Sequence, residues 1–384
     1  MSPDAPELVD AASRLRSAYV HIPFCAAVCP YCDFNVVSGA DHLSGSYVDR
    51  LVAEIGDEPR WGSLGAVFFG GGTPSRIDPG LLQRVLEALA DRFGLEPGAE
   101  VSLEANPEDW DPERAARLVE LGFDRVSFGA QSFDPQVLTA LGRRHEPTQI
   151  EEAVRAARQA GFRSVNLDLI FGHPIETLQS WETTVARAVE LEPDHLSTYA
   201  LTVERGTALG RWVSAGLLPP PDPDDQADKW EVAQEIIGSA GLVRYEVSNS
   251  ARPGHHCRYN LAVWAGAEYL GFGAGAHSYR NGRRRRNPRR IDAYLRGLPP
   301  AEDPADERER LMLGLRLAAG VRAGPLGEAL WDSPEGARLR EAGVLARRGD
   351  RLVVTRPLLT DHVVRALWEL QPDQQALAVS PYEC

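Results

Sequence analysis

Cysteine is scarce in this 384-residue chain. It has five, and three of them, Cys25, Cys29 and Cys32, fall together in the stretch HIPFCAAVCPYCDFN. That scarcity excludes a disulfide framework, which belongs to small, secreted, cysteine-dense domains. An export signal is also missing, since MSPDAPELVDAASRLRSAY is polar and acidic with no apolar core of signal-peptide length. No run approaches the roughly 18 apolar residues of a membrane span. Positive charge is in deficit as well: the net charge is −14, which argues against general binding to nucleic acid or to an anionic membrane. Heptads, low-complexity tracts and sequence-similar repeats are absent too. These absences together predict a cytoplasmic protein in a reducing compartment, where clustered cysteines signal metal or redox chemistry.

What is present is ordinary in bulk and informative in order. Hydrophobic residues make up 43% and charged residues 25%, as in a typical globular protein, with length for one large and one smaller domain. From residue 17 to about 200, β-rich runs alternate with helical patterns. The strand candidates are SAYVHI (17–22), AVFFG (66–70), EVSLE (100–104), RVSFG (125–129), SVNLDLIFG (164–172) and HLSTYAL (195–201). Between them lie amphipathic stretches such as PGLLQRVLEALADRF and PTQIEEAVRAARQAG, the second stopped by Gly161. Alternating β and α units predict parallel strands with right-handed crossovers, as an open doubly wound sheet or a partial barrel. In both, ligands sit at the carboxyl ends of the strands. The cysteine loop, the turn Gly70-Gly71-Gly72-Thr73-Pro74, Glu104, Gln131 and Asp168 follow or end successive strands, so one shared mouth is expected.

Further on, 202–225 reads as a Pro- and Asp-rich surface linker, DQADKWEVAQEIIGSAG as a helix and VRYEVSN as a strand. From about 304 the pattern becomes helices, a hairpin VLARRGDRLVVT and a last helix ending in WEL. That combination resembles a small winged-helix α+β domain. With no basic recognition helix, it reads as a lid or partner surface. The expected division is a tail (1–16), a core (17–225), a flanking segment (226–303) and a C-terminal domain (304–384).

Three thiolates on one loop can hold three irons of a 4Fe–4S cluster and leave the fourth iron open to a small molecule. The alternative is a structural zinc, with His21 completing a Cys-Cys-Cys-His set. The turn FFGGGTPS fits close approach to a ligand, with free N–H groups for a carboxylate. It matches neither a Walker loop nor a dinucleotide fingerprint.

YVHIPFCAAVCPYCDFN, GGGTP, SLEANPE, SFGAQSF, LGRRH and NLDLIFGHP occur in this order, and together they resemble the radical S-adenosylmethionine proteins of the HemN/HemW family. The resemblance covers nearly the whole chain. It implies a partial (βα)6 TIM-like barrel holding a 4Fe–4S cluster, with S-adenosylmethionine on the open iron. Cys25, Cys29 and Cys32 would hold the cluster. Tyr19, the backbone at Tyr31, Gly71, Gly72, Thr73 and Glu104 would touch the S-adenosylmethionine. Gln131, Arg143 and Asp168 match positions that bind a second S-adenosylmethionine in the oxidase relatives; the alternative for Arg143 and Asp168 is an ordinary surface ion pair.

Within the family, the short N-terminus and Phe34, in place of a further cysteine, point away from coproporphyrinogen oxidases and toward HemW-type heme chaperones. Those carry an HNxxYW motif associated with heme binding. Here the stretch is HHCRYNLAVWAG, with Tyr259, Asn260, Val263 and Trp264 at the corresponding positions. Tyr259, His255, His256, Cys257 and His277 stand as alternative heme ligands. The run RNGRRRRNPRR (280–290) is either a hairpin around Asn281-Gly282 or a propionate-binding patch, in which case charge reversal at Arg283–Arg286 weakens heme affinity. The implied function is a heme chaperone with an unknown acceptor. The alternatives are a radical enzyme, such as a methyltransferase of the two-S-adenosylmethionine class, and a zinc-stabilised binding protein.

Overall fold

Apolar and polar residues alternate along the strands and sort the sheet into two faces. In β1 (Ser17–Ile22), Ala18, Val20 and Ile22 are buried in the main apolar core, while Tyr19 and His21 face the barrel interior. The pattern repeats through β2 (Leu64–Gly71), β3 (Leu95–Ala105), β4 (Arg125–Gln131), β5 (Ser164–Phe171) and β6 (His195–Ala200). Phe69, Leu103, Phe128 and Leu167 join the core under the helices. Glu104, Ser127 and Asp168 instead line a cavity on the interior face. This computed structural model describes residues 5–370.

All six strands pair in parallel and in sequence order. The crossover helices start and stop where their end residues dictate. Helix Pro79–Phe93 has Pro at its first turn and Asp78 accepting from the Gly80 N–H at 2.7 Å. Helix Pro147–Ala160 ends on Gly161 in the left-handed conformation.

The sheet does not stop at six strands. Two short strands, β7 (Val243–Arg244) and β8 (Asn249–Ala251), extend it beyond β6, and β9 (Tyr269–Phe272) lies parallel to β1 on the other side. Beyond β9 come β10 (His277–Arg280), β11 (Arg283–Arg286) and β12 (Ala301–Pro304), giving the order β12-β11-β10-β9-β1-β2-β3-β4-β5-β6-β8-β7. The barrel is therefore open, and 226–303 builds both of its margins. The hairpin β10–β11 turns at Asn281 and Gly282, both at positive φ, as the Asn-Gly pair predicts.

Three local expectations change. The segment 202–225 contains a helix, Ala208–Ser214, capped by Thr207, whose Leu209 N–H donates to the Pro30 carbonyl at 2.8 Å and so ties it to the cysteine loop. The run VRYEVSN breaks into β7 and a turn toward β8 instead of one strand. Residues 5–12 are not a loose tail: they form a helix whose Val9 and Ala12 are buried against Tyr245, Leu261 and Leu317.

After β12 a second apolar core gathers Leu311, Leu315, Leu330, Leu352 and Leu367 among four helices and a three-stranded sheet. The expected hairpin is there as Leu345–Arg348 and Arg351–Val354. Its third strand, Val321–Arg322, is too short to leave a sequence pattern. Among the described residues no helix is long and apolar enough to cross a membrane.

Candidate cofactor site at the barrel mouth

The chain leaves β1 at Ile22 and folds back over the sheet as the cysteine loop. Two short backbone pairings pin it, Phe24–Cys25 against Val37–Ser38, and a turn bond from Cys32 N–H to the Cys29 carbonyl tightens its tip. Cys25, Cys29 and Cys32 are free thiols, and all three line a cavity of about 390 Å3 at the carboxyl ends of β2 to β6. The fourth described cysteine, Cys257, is buried elsewhere. Thr73 Oγ1 lies 3.6 Å from the Cys25 sulfur and an Arg143 N–H lies 3.5 Å from the Cys29 sulfur. Such donors suit thiolates bound to a metal cluster.

The single-zinc alternative fails on His21. Its Nε2 is 2.8 Å from the Asn35 carbonyl and its Nδ1 is 3.2 Å from the Tyr19 hydroxyl, so neither ring nitrogen is free. Among the described residues no three His, Cys, Asp or Glu side chains converge tightly enough to hold one ion.

The glycine turn does something other than the sequence suggests. Gly71 N–H donates to Glu104 at 2.9 Å, Gly72 N–H to the Ile22 carbonyl and Thr73 N–H to the Phe24 carbonyl. No amide of the three remains for a ligand carboxylate. The glycines are needed for space: a Cβ on Gly71 would lie 2.4 Å from the His21 ring, and one on Gly72 would lie 2.7 Å from the Pro23 backbone. What the turn offers a ligand is the Glu104 carboxylate. Burial, reinforced by Asp168, pushes that carboxyl up to about 8, with no cation beside it. An ammonium group is the natural complement.

Arg143 and Asp168 do not form the surface pair considered above. Arg143 is half-buried, donating to Asn106 Oδ1 at 2.5 Å and to the Gly129 carbonyl at 3.0 Å, and its Nε has no hydrogen-bond partner. Among the described residues no carboxylate is within ion-pair distance of it. Asp168 accepts from Ser127 Oγ at 2.7 Å and Asn166 Nδ2 at 2.9 Å, and burial raises its carboxyl. Gln131 ends β4 at φ 63, where the register shifts, and its buried Oε1 lacks a partner. Tyr31 also lines this cavity. Sequence reasoning missed Asn106, which bridges Thr73 and Arg143, and Ser127, which orients Asp168. Both are legible in retrospect, since Asn106 sits two residues after Glu104 and Ser127 lies on the strand next to that of Asp168.

Residues 19–188 match the model of the Radical SAM superfamily. A Mycobacterium tuberculosis protein named heme chaperone HemW is 40% identical over 386 residues, covering 95% of this chain and 97% of the relative. A Synechocystis protein of the same name is 38% identical, with 79% of each chain covered. The chain belongs to the HemW family. A solved structure of coproporphyrinogen III oxidase (HemN) from Escherichia coli shares the fold, with a TM-score of 0.77, 23% identity, and coverage of 94% of this chain and 92% of that one. A 4Fe–4S cluster and S-adenosylmethionine are the cofactors that membership in this superfamily implies. The chain's donor set fits them: three free thiols, a half-buried carboxyl and a half-buried guanidinium, neither with an ion-pair partner among the described residues, face one cavity.

The stretch that corresponds to the HemW motif lies on helix Arg258–Trp264. Its residues do not share one site. The Tyr259 ring is inside the barrel, stacked 5.3 Å from Phe68 and 5.8 Å from Tyr19, and burial pushes its phenol well above the usual range. Tyr19 itself joins this stack and lines a recess with Glu104. Trp264 turns away, with the Arg316 guanidinium 4.6 Å above its ring, and Asn260 lines none of the cavities. His255 and His256 sit at the amino ends of the strands: the His255 carbonyl accepts from Arg125, the first residue of β4, and His256 packs on Tyr245.

Proposed function

We propose that this chain is a cytoplasmic heme chaperone, binding heme and passing it to an acceptor protein. Cys25, Cys29 and Cys32 hold a 4Fe–4S cluster in this reading. Glu104 would hold the ammonium of S-adenosylmethionine and Arg143 its carboxylate. Asp168 accepts from ribose hydroxyls. When bound, a cluster with one open iron supplies an electron to the sulfonium. The chain's own part is to orient the ligand by the Glu104 and Arg143 charges and to shield it under the cysteine loop. The observation that carries the cofactor half is the cavity in which these thiols meet a carboxyl and a guanidinium that have no ion-pair partner among the described residues. The heme half is supported by the names of the relatives. Phe34, exposed at the cavity rim, stands where an oxidase would carry another cysteine.

A second reading, a radical enzyme of the methyltransferase type, is favoured by one observation. Gln131 and Asp168 extend the cavity past Glu104, and the Gln131 amide oxygen awaits a donor. Anaerobic reconstitution followed by hemin titration separates the two. Saturation near one heme per chain without steady release of 5′-deoxyadenosine or S-adenosylhomocysteine supports the chaperone. Release of either product, with no saturable heme binding, supports the enzyme.

A further inference from the structure

A recess of about 400 Å3 adjoins the cofactor cavity and shares Gly71, Glu104 and Phe34 with it. Tyr269, His277 and Arg286 continue it into another of about 340 Å3, walled by Val263, Met312 and Leu313. The two lobes form one groove. It begins beside the cofactors and ends against the first helix of the C-terminal domain, Glu307–Leu315. Tyr259 and Val263, one helical turn apart, face one lobe each.

Charge in the groove is distributed unevenly. Arg280, Arg283, Arg284, Arg285, Arg290 and Arg296 each pair with a carboxylate. Arg286 and Arg289 belong to the same basic run, line the groove and have no ion pair among the described residues. Of the acids nearby, Glu309 is held by Arg284 at 2.7 Å, Asp303 faces the far lobe only, and Asp33 and Glu104 line the near lobe where it meets the cofactor cavity. The groove therefore presents two guanidiniums without an ion pair, Arg289 in the near lobe and Arg286 where the lobes join, and an apolar wall in the far lobe.

Between them stands His277. It is exposed, lines both lobes and lies directly across the β10–β11 pairing from Arg286. Its ring makes no hydrogen bond among the described residues. Burial of part of the ring, then Arg286, Arg284 and Arg289, hold its pKa below the usual histidine range, so the imidazole is neutral with a lone pair to donate. Tyr259 is the poorer donor, because its phenolate would have to form inside the aromatic stack.

An apolar planar molecule with two carboxylates and a metal fits this distribution. We infer that heme binds in this groove with His277 as an axial ligand of its iron and Arg286 and Arg289 on its propionates. The inference rests on the heme reading proposed above and adds the place and the ligand. It also accounts for the altered motif: the position occupied by Tyr259 and the His277 ring look into the same recess, so a histidine missing from the helix is supplied by the facing strand.

The test is a hemin titration of the full, iron–sulfur-reconstituted chain, wild type beside His277→Ala and Arg286→Gln/Arg289→Gln, each followed by its Soret spectrum. Retained S-adenosylmethionine binding checks that each variant is folded. His277→Ala should weaken binding by about tenfold or more and shift the Soret band, and added imidazole should restore the wild-type spectrum. The double arginine variant should weaken binding by roughly three- to tenfold with the Soret position unchanged. Wild-type protein that binds no heme would overturn the heme reading itself. Wild-type binding that His277→Ala matches in affinity and spectrum would leave that reading standing and overturn the assignment of His277.

Discussion

At the amino ends of the barrel strands, buried charge is matched within the chain. Arg125 has Glu100 at 3.8 Å and donates to Ser164 and the His255 carbonyl, and the Arg258 N–H donates to Glu100. His195 is held between Asn166 at 2.6 Å and the Tyr245 hydroxyl at 2.8 Å. Charge is matched as well on helix Pro223–Ser239, where the chain's single lysine, Lys229, is fully buried with Glu176 at 3.3 Å and Asp225 at 2.6 Å. In the cavity at the strands' carboxyl ends the matching is looser. Glu104 faces Asp168, a like charge, and among the described residues Arg143 has no carboxylate within ion-pair distance. Leaving ionisable groups desolvated and unpaired costs stability, so their concentration at one end marks where ligands complete the charge balance.

That contrast predicts that substitutions at the two ends fail differently. The largest effect should come from Cys25→Ser, Cys29→Ser or Cys32→Ser: each should abolish the reconstituted cluster, read as lost acid-labile sulfide and lost broad visible absorbance. Retention of both in any one variant would remove that cysteine from the ligand set. Among the matched charges, Lys229→Met should leave Glu176 buried without its cation and cost on the order of 3 kcal/mol in denaturant unfolding. S-adenosylmethionine binding should persist once the variant is folded. A change below about 0.5 kcal/mol would mean that the pair is not structural.

Glu104→Gln should break the symmetry most clearly. The Glu104 carboxyl is raised to about 8 in the folded protein against an ordinary value near 4.5, so the folded state holds a proton that the unfolded state releases between those values. Its contribution is fully present below pH 4.5 and is lost as pH rises through 8. The cofactor-free Glu104→Gln protein should therefore match the wild type near pH 4.5 and exceed it in stability at pH 8.5, while losing S-adenosylmethionine affinity. Equal or lower stability at pH 8.5 would show that the carboxylate is satisfied within the chain. The smallest effect should be Arg283→Gln, whose exposed pair with Glu302 is worth less than about 1 kcal/mol by thermal unfolding.

The strand runs, the crossover helices, the cysteine loop and the order of polar residues at the strand ends were all legible in the sequence, because each is a local pattern of period two, period 3.6 or a spaced motif. The same linear order places Cys25, Glu104, Gln131 and Asp168 at one mouth, since parallel strands put successive carboxyl ends side by side. Tertiary structure alone decided the rest. The glycine turn has spent its amides on the chain itself, a pairing between strands that no motif spells out. Arg143 has no carboxylate partner among the described residues and Arg283 to Arg285 are paired, although nothing in their neighbours along the chain separates them. His277 faces the recess of Tyr259 because β9 lies beside β1 and carries the β10–β11 hairpin over the barrel. Which charges meet depends on contacts between residues hundreds of positions apart, and hydrophobic periodicity carries no information about them.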